Sequence, residues 1–208
     1  MSDIGGHGNG TTALVALGGL VEGSGLVDAV SARFGRPDSV EFVESVGVEL
    51  VADALGTHPP LAGTAMILLE WRPAARSGRD ELIDFLGATP PARGVAIAHD
   101  EATRAELWSW RQHVEVARLP VRRVARVVAE VAPADVAALV ALAHRALAEV
   151  DPDALLIAFG DLTRATVFLD VLDGPCGARS RDGAALLNLL DGAATRFGAR
   201  LHGGEFTP

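Results

Sequence analysis

Eighteen arginines, six histidines and a single cysteine are the side chains from which this chain of 208 residues would first build a reacting or ligand-holding centre. His58, His99, His113 and His144 fall one to an element, and none makes the i, i+4 pair that places two imidazoles on one helical face for a metal. Cys176 lies in the turn-like run Gly174-Pro175-Cys176-Gly177, and a lone cysteine excludes an intrachain disulfide and a cysteine-cluster metal site. No Gly-x-Ser-x-Gly elbow or P-loop is present, so the sequence gives no support to hydrolase or phosphoryl-transfer chemistry. The glycines of Gly5-Gly6-His7-Gly8-Asn9-Gly10 have no apolar strand before them, and a dinucleotide-binding turn requires one. What remains is guanidinium chemistry. Arg118, Arg122, Arg123 and Arg126 form a short basic stripe without interleaved aromatics, and Arg111 shares a helical stretch with Glu106 and Glu115, either of which could pair with it at the surface.

These residues must be positioned by a folded domain. Apolar residues make up 49% and charged residues 22%, enough for a core and unlike a disordered chain. A net charge of −9 opposes binding to nucleic acid. No apolar run reaches membrane-spanning length and no signal peptide is legible, so a cytoplasmic location is the expectation. Strands are expected at 12–17, 64–71, 94–98, 121–131, 155–159 and 166–172. Helices are expected at 25–34, 40–55, 80–86, from Asp100 to about Arg118, at 136–150 and at 182–197. Short connections in this order suit an α+β layer, an antiparallel sheet with helices packed on one face. Residues 1–11 read as a flexible tail and 12–206 as one domain.

Four segments, in order, carry a family resemblance. They are Met66-Ile67-Leu68-Leu69-Glu70-Trp71; Leu107-Trp108-Ser109-Trp110-Arg111, similar to an L-W-x-x-R helix; Phe159 to Val171, similar without gaps to F-G-H-x-G-D-G-N-x-H-x-N-V; and Gly198 to Glu205, similar to G-G-x-x-x-G-E-H. The chain resembles the C-terminal substrate-cap domain of the FAD-linked oxidases, the D-lactate, glycolate and D-2-hydroxyglutarate dehydrogenase group. The resemblance implies a ferredoxin-like fold that covers a flavin held by a separate N-terminal domain, which this chain is expected to lack. It implies FAD supplied by a partner domain or chain, a small carboxylate ligand, and Arg111 with Arg126 as the substrate-binding arginines. A guanidinium offers a carboxylate a planar fork.

The resemblance fails where the family does its chemistry. The two metal-binding histidines fall on Asp161 and Phe168, and the Glu-His pair falls on Gly204 and Glu205; the glycines of the tight loop become Thr163 and Ala165. Phe168 has no ligand atom. His202 would reach the site only through a shift of register, and a solvated tail is the plainer fate of His202-Gly203-Gly204-Glu205. No catalytic residue and no metal site is therefore expected. The loop after Phe159 is expected to be closer to an ordinary hairpin. Two readings stand: a degenerate or partner-dependent cap of an FAD-linked oxidoreductase for a small hydroxy acid, inactive alone, or a non-catalytic binding domain derived from such a cap. Homo-oligomerisation through a face left apolar is a further expectation.

Overall fold

The computed structural model describes residues 10–72, 79–90, 92–116, 123–173 and 183–206. Eight strands and six helices follow in the order β1 (Thr11–Leu17), α1 (Val21–Phe34), β2 (Ser39–Glu44), α2 (Ser45–Leu55), β3 (Ala65–Trp71), α3 (Arg79–Ala88), β4 (Ala92–Ile97), α4 (Glu101–Val116), β5 (Arg123–Glu130), α5 (Val136–Val150), β6 (Leu155–Asp161), β7 (Thr166–Leu172), α6 (Gly183–Arg196) and β8 (Arg200–Phe206), with a 3-10 turn, Pro133–Asp135, before α5. All strands join one antiparallel sheet in the order β4-β1-β3-β2-β6-β7-β5-β8. The α+β sheet expected from the sequence is therefore present.

The order contains a duplication. In β1 to β4 the fourth, first, third and second strands lie side by side, and β5 to β8 repeat that arrangement. Each half is a ferredoxin-like βαββαβ unit. The halves meet where β2 pairs with β6 over only Glu41↔Asp161, Phe42↔Gly160 and Val43↔Phe159. Strand alternation sends one set of side chains to each face. Val40, Phe42, Ile67, Leu69, Ala158 and Leu169 join the core beneath α1, α3, α5 and α6. Leu14, Val43, Met66, Leu68, Ile157 and Phe159 join a second, smaller core under α2 and α4. The four helices internal to the repeats thus share one face, while α2 and α4, extra to the repeat pattern, pack on the other, so helices lie on both faces rather than the one expected.

Local sequence accounts for most boundaries. Leu26, Val30 and Phe34 form the buried stripe of α1, and Val136, Leu139, Val140, Ala143 and Leu147 that of α5. Asp100 caps α4, accepting from the Thr103 N–H at 2.8 Å, and this hydrogen bond holds its carboxyl below the usual range. Gly56 ends α2 in the left-handed region, φ 63°.

Two further expectations are corrected. The helix expected over 40–55 is a strand, Ser39–Glu44, running directly into a helix, Ser45–Leu55. The sheet imposes this, because β2 must fill the gap between β3 and β6 and Val40 and Phe42 alternate into the larger core. The tail expected at 202–205 belongs to β8, whose ladder with β5 includes Arg126↔Glu205 and Val127↔Gly204. Edge pairing with a formed strand satisfies backbone groups that two glycines would leave disordered on their own.

Candidate functional site

Arg111 and Arg126, fifteen residues apart in sequence, are brought together on the α2/α4 side of the sheet. Arg111 comes from α4 and Arg126 from β5, and their guanidinium carbons lie 4.9 and 5.6 Å from the centroid of the Phe159 ring. Phe168, the cross-strand partner of Phe159, stacks on it at 4.9 Å with planes 7° apart, and Arg126 lies 5.5 Å from its centroid. Two guanidiniums thus stand over one aromatic pair.

Each guanidinium already has an acid. Arg111 is buried rather than at the surface, and its Nε donates to Glu41 of β2 at 2.8 Å. The partners expected from its own helix, Glu106 and Glu115, are not the ones it uses at this bond. Arg126 makes a bidentate fork with Asp170 of β7, Nε to Oδ1 and Nη2 to Oδ2, both at 2.6 Å. Arg123 adds its charge 3.7 Å from Oδ2 of Asp170. Asp170 is only 3% exposed, and the fork and the second cation satisfy both of its oxygens in that buried place.

The departures in the β6–β7 hairpin have a structural outcome. Asp161 is taken up by its own turn and by Arg164. Its Oδ1 accepts from the Thr163 N–H at 2.8 Å, from the Thr163 hydroxyl and from the Arg164 N–H at 3.2 Å, and Arg164 Nε lies 3.3 Å from Oδ2. This is a carboxylate closing a turn on itself. Ala165 completes the turn at φ 56°, a non-glycine residue in the left-handed region. Among the described residues no group of three His, Cys, Asp or Glu side chains could hold a metal ion.

Beside Glu41 and Asp161 a cavity of about 230 Å³ opens, lined also by Asp38, Glu70, Trp108 and Arg164. With Ser39, Arg72 and Thr163 the lining holds four carboxylates against two arginines, a net negative wall that disfavours an anionic ligand. Glu70 is fully buried, and Arg72 and Arg104 both donate to it. Of the two tryptophans of α4, Trp110 is buried in the smaller core and Trp108 is half-buried against the same core, rather than turned away to the surface.

At this level the chain can be compared with known proteins. Its fold is similar to that of a 4-ethylphenol oxidase from Gulosibacter chungangensis, solved as its isoeugenol complex, with a TM-score of 0.50 and 13% identity. The likeness covers 91% of this chain and 44% of the oxidase, so the chain spans less than half of that protein's length. No family model matches the sequence, and no curated protein does.

The sequence pointed to Arg111 and Arg126 but not to Glu41 or Asp170, which lie 70 and 44 residues from their partners. For Asp170 a signal existed: one carboxylate inside the apolar run Thr166–Leu172 demands a buried counter-ion. Cys176, Arg118, Arg122 and the glycine-rich residues 1–9 lie outside the described residues, as do the side chains of His202 and Glu205. No described helix is long and apolar enough to cross a membrane.

Proposed function

We propose that this chain is the substrate-cap domain of an FAD-linked oxidoreductase of small hydroxy acids, in a form that has lost independent catalysis. The observation that carries the reading is the convergence of Arg111 and Arg126 on the Phe159–Phe168 pair. These are the two arginines that the resemblance names as carboxylate-binding, and a helix and a strand from separate parts of the chain deliver them to one place. A fold shared over nine-tenths of the chain with part of an oxidase supports the same reading.

A flavin, in this reading, is held elsewhere. The cavity between α5 and α6 measures about 320 Å³ and is not associated with a glycine-rich strand-to-helix turn. The chain's own residues do not fit the whole cofactor, and no step of a reaction is assigned through it. The face of β7 and β5 that carries half-buried Phe168 and Val128, beside Arg126, is the surface proposed to meet a flavin-bearing domain.

Loss of independent catalysis follows from the chemistry of the pair. Both cations are neutralised by carboxylates of the same chain, so a substrate carboxylate must compete with Glu41 and Asp170. A hydroxy acid also needs a group to take its hydroxyl proton. The family's base falls on Glu205, and its metal ligands fall on Asp161, Phe168 and Gly204.

Calorimetric titration with D-lactate and D-2-hydroxyglutarate tests the clamp. The native chain is expected to bind weakly, and Asp170→Asn, which frees the fork of Arg126 from a competing charge, is expected to bind at least about tenfold more tightly, the equivalent of about 1.4 kcal/mol. Adding Arg126→Ala should abolish the gain. An Asp170→Asn chain that remains folded and gains no affinity would remove Arg126 from the clamp.

A further inference from the structure

We propose a second anion site, in the cleft between α5 and α6, that takes a small ligand bearing a carboxylate or phosphate group. The cleft has a volume of about 320 Å³, within the lower range of small-molecule sites. Arg145 and Glu149 reach it from α5, and Asn188, Leu189, Gly192 and Arg196 from α6. Both helices pack on the larger core, so the cleft lies across the sheet from Arg111 and Arg126 and belongs to neither the clamp nor its cavity.

Two independent observations point to a ligand. The first is charge. The chain has 27 acidic residues against 18 arginines, and Arg33, Arg72, Arg104, Arg111, Arg126 and Arg164 all sit on carboxylates. Arg145 and Arg196 are exposed, line the same cleft and, among the described residues, have no hydrogen bond or ion pair. Glu149 lies one turn from Arg145 on the same helix without bridging to it, in the residue order that favours such pairs less. Two guanidiniums offer only donors and the Asn188 amide can add its NH2 group, the complement of an oxyanion.

The second observation is space. Gly192 is inside α6, where glycine weakens a helix, yet a Cβ built there meets nothing within 4 Å. Close packing therefore does not require the glycine. Its missing side chain leaves the cleft open beside Leu189, which gives a bound molecule a short apolar wall.

Titration with inorganic phosphate and, separately, with succinate, followed by calorimetry and amide chemical shifts at low ionic strength, decides the matter. One saturable site per chain is expected, with shifts centred on α5 and α6. The double variant Arg145→Gln/Arg196→Gln should weaken it at least about tenfold. Gly192→Leu, which keeps both charges and fills the cleft, should weaken it as well. All substituted positions are exposed, and an unchanged circular dichroism spectrum verifies the fold. Tighter binding of phosphate would assign a phosphate ester as the ligand class, and tighter binding of succinate a carboxylic acid. Absence of saturable binding by either anion up to about 10 mM, or equal affinity in the variants, would overturn the proposal.

Discussion

Burial decides what a charged residue contributes in this molecule. Arg33 and Glu81 meet at 2.5 Å with side chains 58% and 43% exposed, and such a pair is worth less than about 1 kcal/mol. The contact between Arg126 and Asp170 is no shorter, but the side chains are 17% and 4% exposed, and removing one partner there strands a charge. Asp170→Ala is expected to destabilise the fold by about 3 kcal/mol in urea unfolding, and Arg33→Ala by less than about 1 kcal/mol. Equal effects would mean that the buried pair is not compensated as described. Glycine positions divide in the same way. A Cβ at Gly160 would stand 2.1 Å from the Thr166 carbonyl oxygen and 3.0 Å from the Phe42 ring, whereas at Gly19 it meets nothing within 4 Å. Gly160→Ala should therefore cost about 3 kcal/mol or more, because backbone cannot yield, while Gly19→Ala should leave the unfolding midpoint nearly unchanged.

At the scale of elements, the seam between the repeats is the informative place. The β2–β6 ladder is only three residue pairs long, and Glu44 extends it by accepting from the Ala158 N–H at 3.1 Å. The same carboxylate meets His144 Nε2 of α5 at 3.0 and 3.2 Å. That hydrogen bond holds the imidazole above its ordinary value, against the opposing effect of partial burial. A raised folded value means that the native state holds this proton more tightly than the unfolded one. The contribution is complete below about pH 6.5, the ordinary value for histidine, and is lost as pH climbs through the raised value. Urea midpoints measured across that interval should fall more steeply for the native chain than for His144→Gln; parallel curves would remove His144 from the seam.

The same scale shows what could be read in advance. Strands with continuous apolar runs, such as Ala65–Trp71, and the periodic helix Val136–Val150 were legible. β2 was not, because Val40 to Leu55 contains both a period-2 run and a helical one with no turn residue between them, and only the sheet separates them. β8 was hidden because its pairing partner, not its own composition, makes it a strand. In the site, Arg111 and Arg126 were singled out by the family resemblance. Glu41 was not, since strand register alone brings it to Arg111; Asp170 was marked as a buried carboxylate by its apolar run, but its partner was set only by register.

The whole molecule is two ferredoxin-like units in one sheet, fully dressed with helices on one face and partly on the other. α2 packs over β2 and β6 and α4 over β1 and β2, while Phe168 and Val128 of the neighbouring strands stay half-buried. The large apolar side chains that are well exposed, Val21, Leu55, Ile83, Val150 and Leu201, belong to five separate elements and form no single patch by sequence position. The surface around Phe168, with Arg126 at its edge, is the place proposed above for a flavin-bearing partner. Purification of the chain from its native host, with the absorbance spectrum of whatever travels with it, tests the central claim most directly. A cap domain is expected to co-purify in stoichiometric amount with a flavin-bearing protein, and Phe168→Asp should release it. A chain that is isolated in its native amount without any flavin-bearing partner would contradict the account.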